Sequence, residues 1–316
     1  MLTRPFKQVD VFTATPYLGN PLAVVLDGQG LTDETMQRFA RWTNLSETTF
    51  LLPPTQPTAD YRVRIFTPGG ELPFAGHPTL GSCHAWLQAG GQPKRAGVIV
   101  QECAKGLVVI RRTATAQDQG RLAFAAPQMT RTAPSPAALA QMAAALGLKA
   151  TQILAAQLLD NGPVWLSLLL DSPDTVLQLQ PNQAALLQLQ AHVGVAALYP
   201  TETVESTPLI GRANREARAF DPQHAVDTPP QTLQTIDLEV RSFVASTTVY
   251  EDPVTGSLNA SLAQWLMADG ILPERYTASQ GVCLERAGLV FLERDAAGQV
   301  WVGGDVVTCV DGHVTL

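Results

Sequence analysis

Two short stretches of the sequence share one motif, and each opens with a residue that can hold or move a proton. His77 opens the letters H-P-x-x-G-S, and Asp252 opens D-P-x-x-G-S much later in the chain. The letters V-R-x-F precede each copy, at 63–66 and 240–243, and a Trp-Leu pair follows each copy. The repetition predicts two related halves with a site between them, to which one half contributes His77 and the other Asp252.

Glu47 is a third candidate for proton chemistry. It lies between a predicted helix and a predicted strand that is rich in Thr and Phe. If apolar neighbours bury its carboxyl group, desolvation raises the pKa and makes the group a usable acid and base. From the residues alone, a solvent-exposed turn position is the stronger interpretation of Glu47, and His77 could equally be a structural histidine.

The repeated motif also predicts two helix starts. Pro78 is expected at the first position of a helix, because the missing N–H of proline would be unpaired there anyway, and a second helix is expected to begin at Pro253. The free backbone N–H groups of such helix ends attract carboxylates and developing oxyanions. With both ends in one cleft, a small acidic metabolite could be held without a metal or a cofactor. Asp252 is expected to be the N-cap of the second helix.

Strand-like segments outnumber helical ones outside these two central helices. Thr32 is typical of an N-cap, and the helix that it begins is expected to end near Asn44. The segment 201–237 is rich in turn residues and carries no clear assignment. The pattern predicts an α+β fold of two similar, pseudo-twofold-related domains, each a curved, barrel-like β-sheet around a central helix.

A stretch at about 127–135 has the composition of a linker between the two halves. We therefore expect an N-terminal domain at 1–130 and a C-terminal domain at 131–316, with a last strand that can cross back to the first domain.

The bulk composition excludes several classes of protein. Of 316 residues, 46% are hydrophobic and 16% are charged, which is enough to bury two cores and is unlike a disordered chain. A net charge of −7 and a pI near 5.2 argue against nucleic acid or an anionic membrane as the main partner. Four scattered cysteines without C-x-x-C spacing, and an N-terminus without an apolar signal segment, predict a reduced, cytoplasmic protein.

Four stretches of the chain resemble the PhzF family, the phenazine-biosynthesis-like proteins whose fold is related to that of diaminopimelate epimerase. The four stretches are specific to the family when they occur together, and in their order along the sequence they extend over nearly the whole chain. The stretches are V-D-V-F with G-N-P-L-A-V-V (9–12 and 19–25), N-L-S-E-T-T-F (44–50), P-F-A-G-H-P-T (73–79) and E-D-P-V-T-G-S (251–257).

The resemblance implies two β-barrel-like domains, each around a helix, with the site between them. It also implies an isomerase that needs no cofactor and no metal and that is often a homodimer. The family's catalytic and substrate-binding positions fall on a small set of residues: Glu47, His77 and Asp252 as the catalytic groups, Ser257 as a binding side chain, and backbone N–H groups near Gly76 and Gly256.

This sequence departs from the usual family pattern at several positions. Leu258 and Asn259 follow Ser257 where smaller residues are common, and Glu285-Arg286-Ala287-Gly288 replaces the usual G-R-P-G. These departures are expected to reshape the pocket, so the resemblance does not identify the substrate.

Diaminopimelate-type epimerases set one cysteine at the start of each central helix. Here His77 and Asp252 stand at the predicted starts, and Cys83 lies further along on a predicted buried face. A two-thiol mechanism is therefore disfavoured.

The sequence leads to the hypothesis of an isomerase that moves a proton on a small carboxylic acid by general acid–base catalysis. Two alternatives stay open: an epimerase in which Glu47 is opposed by His77 or Asp252, and a non-catalytic small-acid binding protein. The remaining histidines are expected to have surface or structural roles: His84, His192, His224 and His313.

Overall fold

A computed structural model describes residues 2–112, 120–200, 235–245 and 250–316 of the protein. Most of the turn-rich segment at 201–237 therefore lies outside the described residues. Within the described ranges the chain forms seventeen strands and six α-helices. None of the helices in these ranges is both long and apolar enough to cross a membrane.

The elements of the first half alternate strands with two helices. In chain order they are β1 (Thr3–Val11), β2 (Asn20–Val25), α1 (Asp33–Thr43), β3 (Glu47–Leu52), β4 (Tyr61–Phe66), β5 (Glu71–Leu72), α2 (Gly76–Gln88), β6 (Val98–Cys103), β7 (Gly106–Arg112) and β8 (Leu122–Ala125).

The second half repeats this order, with additional helices. Its elements are β9 (Thr130–Thr132), α3 (Pro136–Leu146), β10 (Ile153–Asp160), β11 (Val164–Leu170), α4 (Pro173–Gln178), α5 (Gln183–Leu189), β12 (His192–Leu198), β13 (Leu238–Phe243), α6 (Gly256–Ala268), β14 (Arg275–Gln280), β15 (Gly288–Arg294), β16 (Val300–Gly304) and β17 (Val306–Thr315).

The two halves have the same strand pairing. In the first, β1–β2 is antiparallel, β2–β3 parallel, β3–β4 antiparallel, β4–β6 parallel, and β6–β7 and β7–β8 antiparallel. In the second, β10 to β16 follow the same sequence of directions. The V-R-x-F stretches lie in β4 and β13, which hold equivalent places. The doubled α+β architecture predicted from the repeat is therefore present.

Strand exchange joins the halves. β8 pairs with β16 across their boundary, and β17 returns from the second half to pair with β1, whereas β9, which follows β8 at the boundary, pairs with β10. The stretch at 127–135, expected as a linker, thus contains a strand. Pairing with β10 satisfies backbone groups that an unpaired edge strand would leave exposed.

The central helices α2 and α6 are buried on most faces, as predicted. α2 contacts β1, β2, β3, β6, β8 and β17, and α6 contacts β10, β15 and β16. Each helix therefore fills the curve of its own sheet, and the two form one hydrophobic core. The other helices cover outer faces: α1 packs on β2, β3 and β4, and α3 to α5 pack on β11 and β12.

Local sequence signals set the bounds of α1. The Thr32 hydroxyl accepts a hydrogen bond from the N–H of Thr35, and Asn44 ends the helix in the left-handed conformation, with φ of 53°. Both positions agree with the sequence prediction, because capping depends on residues that are adjacent in the chain.

The predicted starts of the central helices are wrong. α2 begins at Gly76 rather than Pro78, and α6 begins at Gly256 rather than Pro253. The two copies of the motif are therefore out of register, because the Gly-Ser pair lies inside α2 in the first copy and opens α6 in the second. The helix position of His77 is matched by Ser257 and not by Asp252.

Asp252 is also not an N-cap; that position belongs to Thr255. The side chain of Gln280 holds the segment before α6 in an extended loop, since it accepts from the N–H of Thr255 at 3.0 Å and donates to the carbonyl of Asp252 at 3.1 Å. A long-range contact therefore overrides the local signal from Pro253.

The starts of α2 and α6 touch through two glycines. A Cβ built on Gly76 would lie 2.8 Å from the Cα of Gly256, and one built on Gly256 would lie 2.9 Å from the Cα of Gly76. Because the atoms in the way are backbone, neither helix can accept a side chain here without moving.

We expect Gly76→Ala to lower the free energy of unfolding by about 1–3 kcal/mol, since overpacking a close backbone contact forces the helices apart. Gly312→Ala is the matched control, because a Cβ there meets nothing within 4 Å. Urea unfolding of both variants measures the difference, and equal stabilities would contradict the contact.

Candidate active site

Glu47 is the first residue of β3 and points to the start of α2. Two residues along the same face, Thr49 accepts a hydrogen bond from Ser82 of α2 at 2.9 Å. The Glu47 side chain is 14% exposed, and its Oε2 lies 3.2 Å from Nε2 of His77. The interpretation of Glu47 as an exposed turn residue is therefore wrong, because β3 runs between β2 and β4 and carries its first residue inward.

His77 is the second residue of α2 and is 4% exposed. Although its Nε2 is within reach of Glu47, the two groups form no hydrogen bond in this structure. Within the described ranges, neither Nε2 of His77 nor Oε2 of Glu47 has a hydrogen-bond partner. Two adjacent buried polar atoms therefore remain available to a ligand.

The side-chain amide of Asn20 links the two halves at this point. Its Nδ2 lies 3.2 Å from Nδ1 of His77 and donates to Oδ1 of Asp252 and to the carbonyl of Val254, both at 2.9 Å. Two of these three partners are pure acceptors, so the amide is oriented with its nitrogen toward them. Asn20 thereby places His77 of one half beside Asp252 of the other.

This orientation favours one tautomer of His77. An amide nitrogen cannot accept a hydrogen bond, so an Nδ1 without a proton fits beside Asn20 better than an Nδ1–H, which puts the ring proton on Nε2. The Nε2–H group is then directed to the side where Glu47 lies.

Asp252 is held by hydroxyl groups as well as by Asn20. Oδ2 accepts from Thr255 Oγ1 at 2.6 Å, and Oδ1 accepts from Ser46 Oγ at 3.4 Å. Burial raises the pKa of Asp252 to about 6, and the hydrogen bonds from Thr255, Asn20 and Ser46 oppose that rise. The group is therefore ionised at neutral pH while lying close to a second carboxyl group.

Burial shifts the other two titratable groups in opposite directions. The pKa of Glu47 is raised well above its ordinary value, first by burial and then by the negative charge of Asp252. Burial lowers the pKa of His77 to about 3. The imidazole is thus neutral at physiological pH, and the carboxylate of Glu47 is a stronger base than that of an ordinary glutamate.

The backbone at the two helix starts supplies hydrogen-bond donors. Ala75 and Thr255, the residues before α2 and α6, have extended conformations and give no side-chain cap to the helices. The first N–H groups, at Gly76 and His77 and at Gly256 and Ser257, therefore meet where the glycines touch. Gly76, Gly256 and Ser257, which the resemblance assigns to substrate binding, therefore lie next to one another.

Ser257 is oriented by second-half residues. Its hydroxyl accepts from Nε1 of Trp165 at 3.2 Å, and its carbonyl accepts from Nδ2 of Asn161 at 2.8 Å. The sequence alone did not single out Asn20, Asn161 or Trp165. Asn20 lies in one of the family-like stretches, which was the available signal for it.

Two residues that depart from the family pattern, Leu258 and Asn259, pack and hydrogen-bond at the start of α6. Leu258 is fully buried against Gly194, and Nδ2 of Asn259 donates to the carbonyl of Thr255 at 3.0 Å and to Oε1 of Gln280 at 2.8 Å. Cys83 is fully buried, and burial raises the pKa of its thiol to about 12. A protonated thiol at that position agrees with the expectation that two-thiol chemistry is disfavoured.

Comparison with known proteins identifies the family and the fold of the chain. Residues 9–312 match the family model PhzC-PhzF, described as phenazine biosynthesis-like protein. The chain is 31% identical to trans-2,3-dihydro-3-hydroxyanthranilate isomerase of Pseudomonas aeruginosa over 98% of both chains, and 33% identical to the Schizosaccharomyces pombe protein named antisense-enhancing sequence 1 over 99% of both. The crystal structure of a Bacillus anthracis protein of the PhzF family superposes with a TM-score of 0.78 over 100% of both chains, at 21% identity.

These findings define an isomerase with a doubled, diaminopimelate epimerase-like α+β fold, and the fold class predicted from the sequence is confirmed. The chain belongs to the phenazine biosynthesis-like, or PhzF, family, as the resemblance of its four sequence stretches implied.

The lowered pKa of His77 predicts a pH-dependent contribution to stability. Between its ordinary value of 6.5 and about 3, the unfolded chain binds a proton at His77 that the folded protein does not. In this window stability rises with pH, so it is lost as the pH falls, at up to about 1.4 kcal/mol per pH unit from this group.

We expect the unfolding free energy of His77→Gln to fall less steeply than that of the wild type from pH 6.5 to pH 4.5, measured by urea titration. His313→Gln changes an exposed histidine and is the control. Parallel curves for wild type and His77→Gln would show that folding leaves the pKa of His77 unchanged.

Proposed function

We propose that the protein is a cofactor-independent isomerase that transfers a proton between two carbons of a small unsaturated carboxylic acid, with Glu47 as the proton carrier. The observation that carries the proposal is the 3.2 Å approach of Glu47 Oε2 to His77 Nε2 beside two touching helix starts. A proton-transferring group and oxyanion-binding N–H groups are then next to each other.

In the proposed reaction, ionised Glu47 removes a proton from an activated carbon of the substrate. The electron pair left behind delocalises into the unsaturated system and onto a substrate oxygen. The protonated carboxyl group then returns the proton to a second carbon on the same face, so Glu47 ends in its starting state and no redox change occurs.

The neighbours of Glu47 fit this cycle. The neutral imidazole of His77 lies beside Glu47, and Asn20 contacts both that imidazole and Asp252. The N–H groups at the starts of α2 and α6 would bind the carboxylate or the developing enolate oxygen. Acid–base catalysis of this kind contributes about 10²–10⁴-fold, and each oxyanion donor about 10²–10³-fold.

The geometry does not favour an epimerase in which Glu47 is opposed by His77. Two bases on opposite faces of one carbon need room for that carbon between them, and the 3.2 Å separation leaves none. The shared support of His77 and Asp252 by Asn20 puts Asp252 in the same group of side chains.

The relative from Pseudomonas aeruginosa suggests a substrate to test. Its name specifies a partly unsaturated six-membered ring with carboxylate, amino and hydroxyl groups. We propose an acid of this class as the small anionic metabolite expected from the sequence.

We expect Glu47→Gln to lower kcat on trans-2,3-dihydro-3-hydroxyanthranilate by at least about 10²-fold, with binding changed by less than about threefold, because the amide keeps the shape but cannot carry the proton. Ultraviolet absorbance follows turnover, proton NMR in D₂O locates the transferred hydrogen, and calorimetry measures binding. The exposed Glu34→Gln is the control. Normal turnover by Glu47→Gln would exclude Glu47 as the carrier.

The charge of Asp252 predicts a pH effect. If catalysis needs ionised Glu47, kcat/KM rises with pH through the raised pKa of that group. Asp252→Asn removes one of the two causes of the rise, so we expect the acidic limb of the kcat/KM profile to move to lower pH. An acidic limb that stays in place or moves upward would contradict the coupling; Asp171→Asn, at an exposed carboxylate, is the control.

A further inference from the structure

Strand pairing gives Glu47 a counterpart in the second half. Glu47 opens β3 and pairs with Leu22 of the parallel strand β2. His192 opens β12 and pairs with Trp165 of the parallel strand β11. β12 holds in the second half the place that β3 holds in the first.

The strands that pair with the opposite edges of β3 and β12 lead to the same equivalence between Glu47 and His192. Thr48, which follows Glu47, pairs with Phe66 at the end of the first V-R-x-F stretch. Val193, which follows His192, pairs with Phe243 at the end of the second. Two separate pairings therefore make His192 the structural equivalent of Glu47, although the residue types differ.

His192 also faces the start of its own central helix. A Cβ added to Gly194, two residues along the same face of β12, would lie 2.3 Å from Cδ1 of Leu258 in α6. Val193 and Val195, on the other face, pack in the outer cluster with α3, α4 and α5. His192 is thus directed to α6 as Glu47 is directed to α2.

The residues around His192 converge on Ser257, which holds in α6 the place of His77 in α2. The rings of Trp165 and His192 lie 5.3 Å apart, and the indole of Trp165 donates to the Ser257 hydroxyl. Asn161, which is 3% exposed, donates to the Ser257 carbonyl. Ser257 is thus held by two residues of the second half, and one of them packs against His192.

Two polar atoms of this group are buried without a hydrogen-bond partner among the described residues: Nδ1 of His192 and Oδ1 of Asn161. Buried polar atoms are normally satisfied, so such a pair beside an active-site serine indicates where a ligand supplies the missing partners.

We propose that Asn161, Trp165 and His192 form, with Ser257, a second half-site that binds a hydroxyl or amino substituent of the substrate, on the side away from Glu47. The proposal rests on the proposed function and assigns a substrate class: small carboxylic acids that carry a second, hydrogen-bond-donating substituent. Burial lowers the pKa of His192, so its imidazole is neutral and suits a neutral donor better than a carboxylate.

The test compares ligands as well as variants. Binding of benzoate, anthranilate and 3-hydroxyanthranilate, which are stable aromatic acids with none, one and two such substituents, is measured by calorimetry. The proteins are the wild type, His192→Leu, His192→Asn, which restores a polar atom near Nδ1, and the exposed control His313→Leu.

We expect the wild type and His313→Leu to prefer at least one substituted acid over benzoate by about tenfold, and His192→Leu to lose that preference while binding benzoate normally. His192→Asn should restore most of it. On the substrate, His192→Leu should raise KM about tenfold with kcat nearly unchanged.

Three binding results would overturn the proposed half-site. They are a wild type without the preference, a His192→Leu variant that keeps it, and a His192→Leu variant that weakens all three acids equally. A fall in kcat alone would also overturn it, in favour of a second proton-transfer group. None of these depends on Glu47→Gln, whose retained activity would overturn only the proposed function.

Discussion

The contact between Gly76 and Gly256 is the constraint on which the site depends. The β8–β16 pairing and the returning strand β17 hold the halves together, but only backbone without side chains lets the starts of α2 and α6 touch. The N–H groups at those starts are the donors for an anion. Every other feature of the site is arranged around this meeting point.

Burial governs the electrostatics of the site more than ion pairing does. Glu47 and Asp252 are two carboxyl groups in one enclosed place, and hydroxyl and amide donors surround Asp252. Arg241, a buried cation of the second half, is paired with Glu251 at 2.8 Å and with backbone carbonyls. Desolvation is therefore the largest influence on the pKa values of Glu47, His77 and Asp252.

The halves share a scaffold but differ in chemistry. Glu47 and His77 in the first half correspond to His192 and Ser257 in the second; Asn20 contacts the imidazole of His77, and Asn161 donates to the carbonyl of Ser257. A doubled fold of this kind can place proton transfer on one side of a ligand and recognition on the other, since each half contributes one strand start and one helix start.

The sequence by itself determined the repeat, the family and the residues most able to do chemistry, because these depend on residue types and on neighbours along the chain. The caps of α1 at Thr32 and Asn44 follow from the same local rules. Only the tertiary structure decided that α6 begins at Gly256, because Gln280 holds the preceding loop from a distant strand. It likewise decided that Glu47 is buried and that Asn20 joins the halves, and it made His192 equivalent to Glu47. Burial and register arise from partners far apart in the chain, so no local pattern contains them.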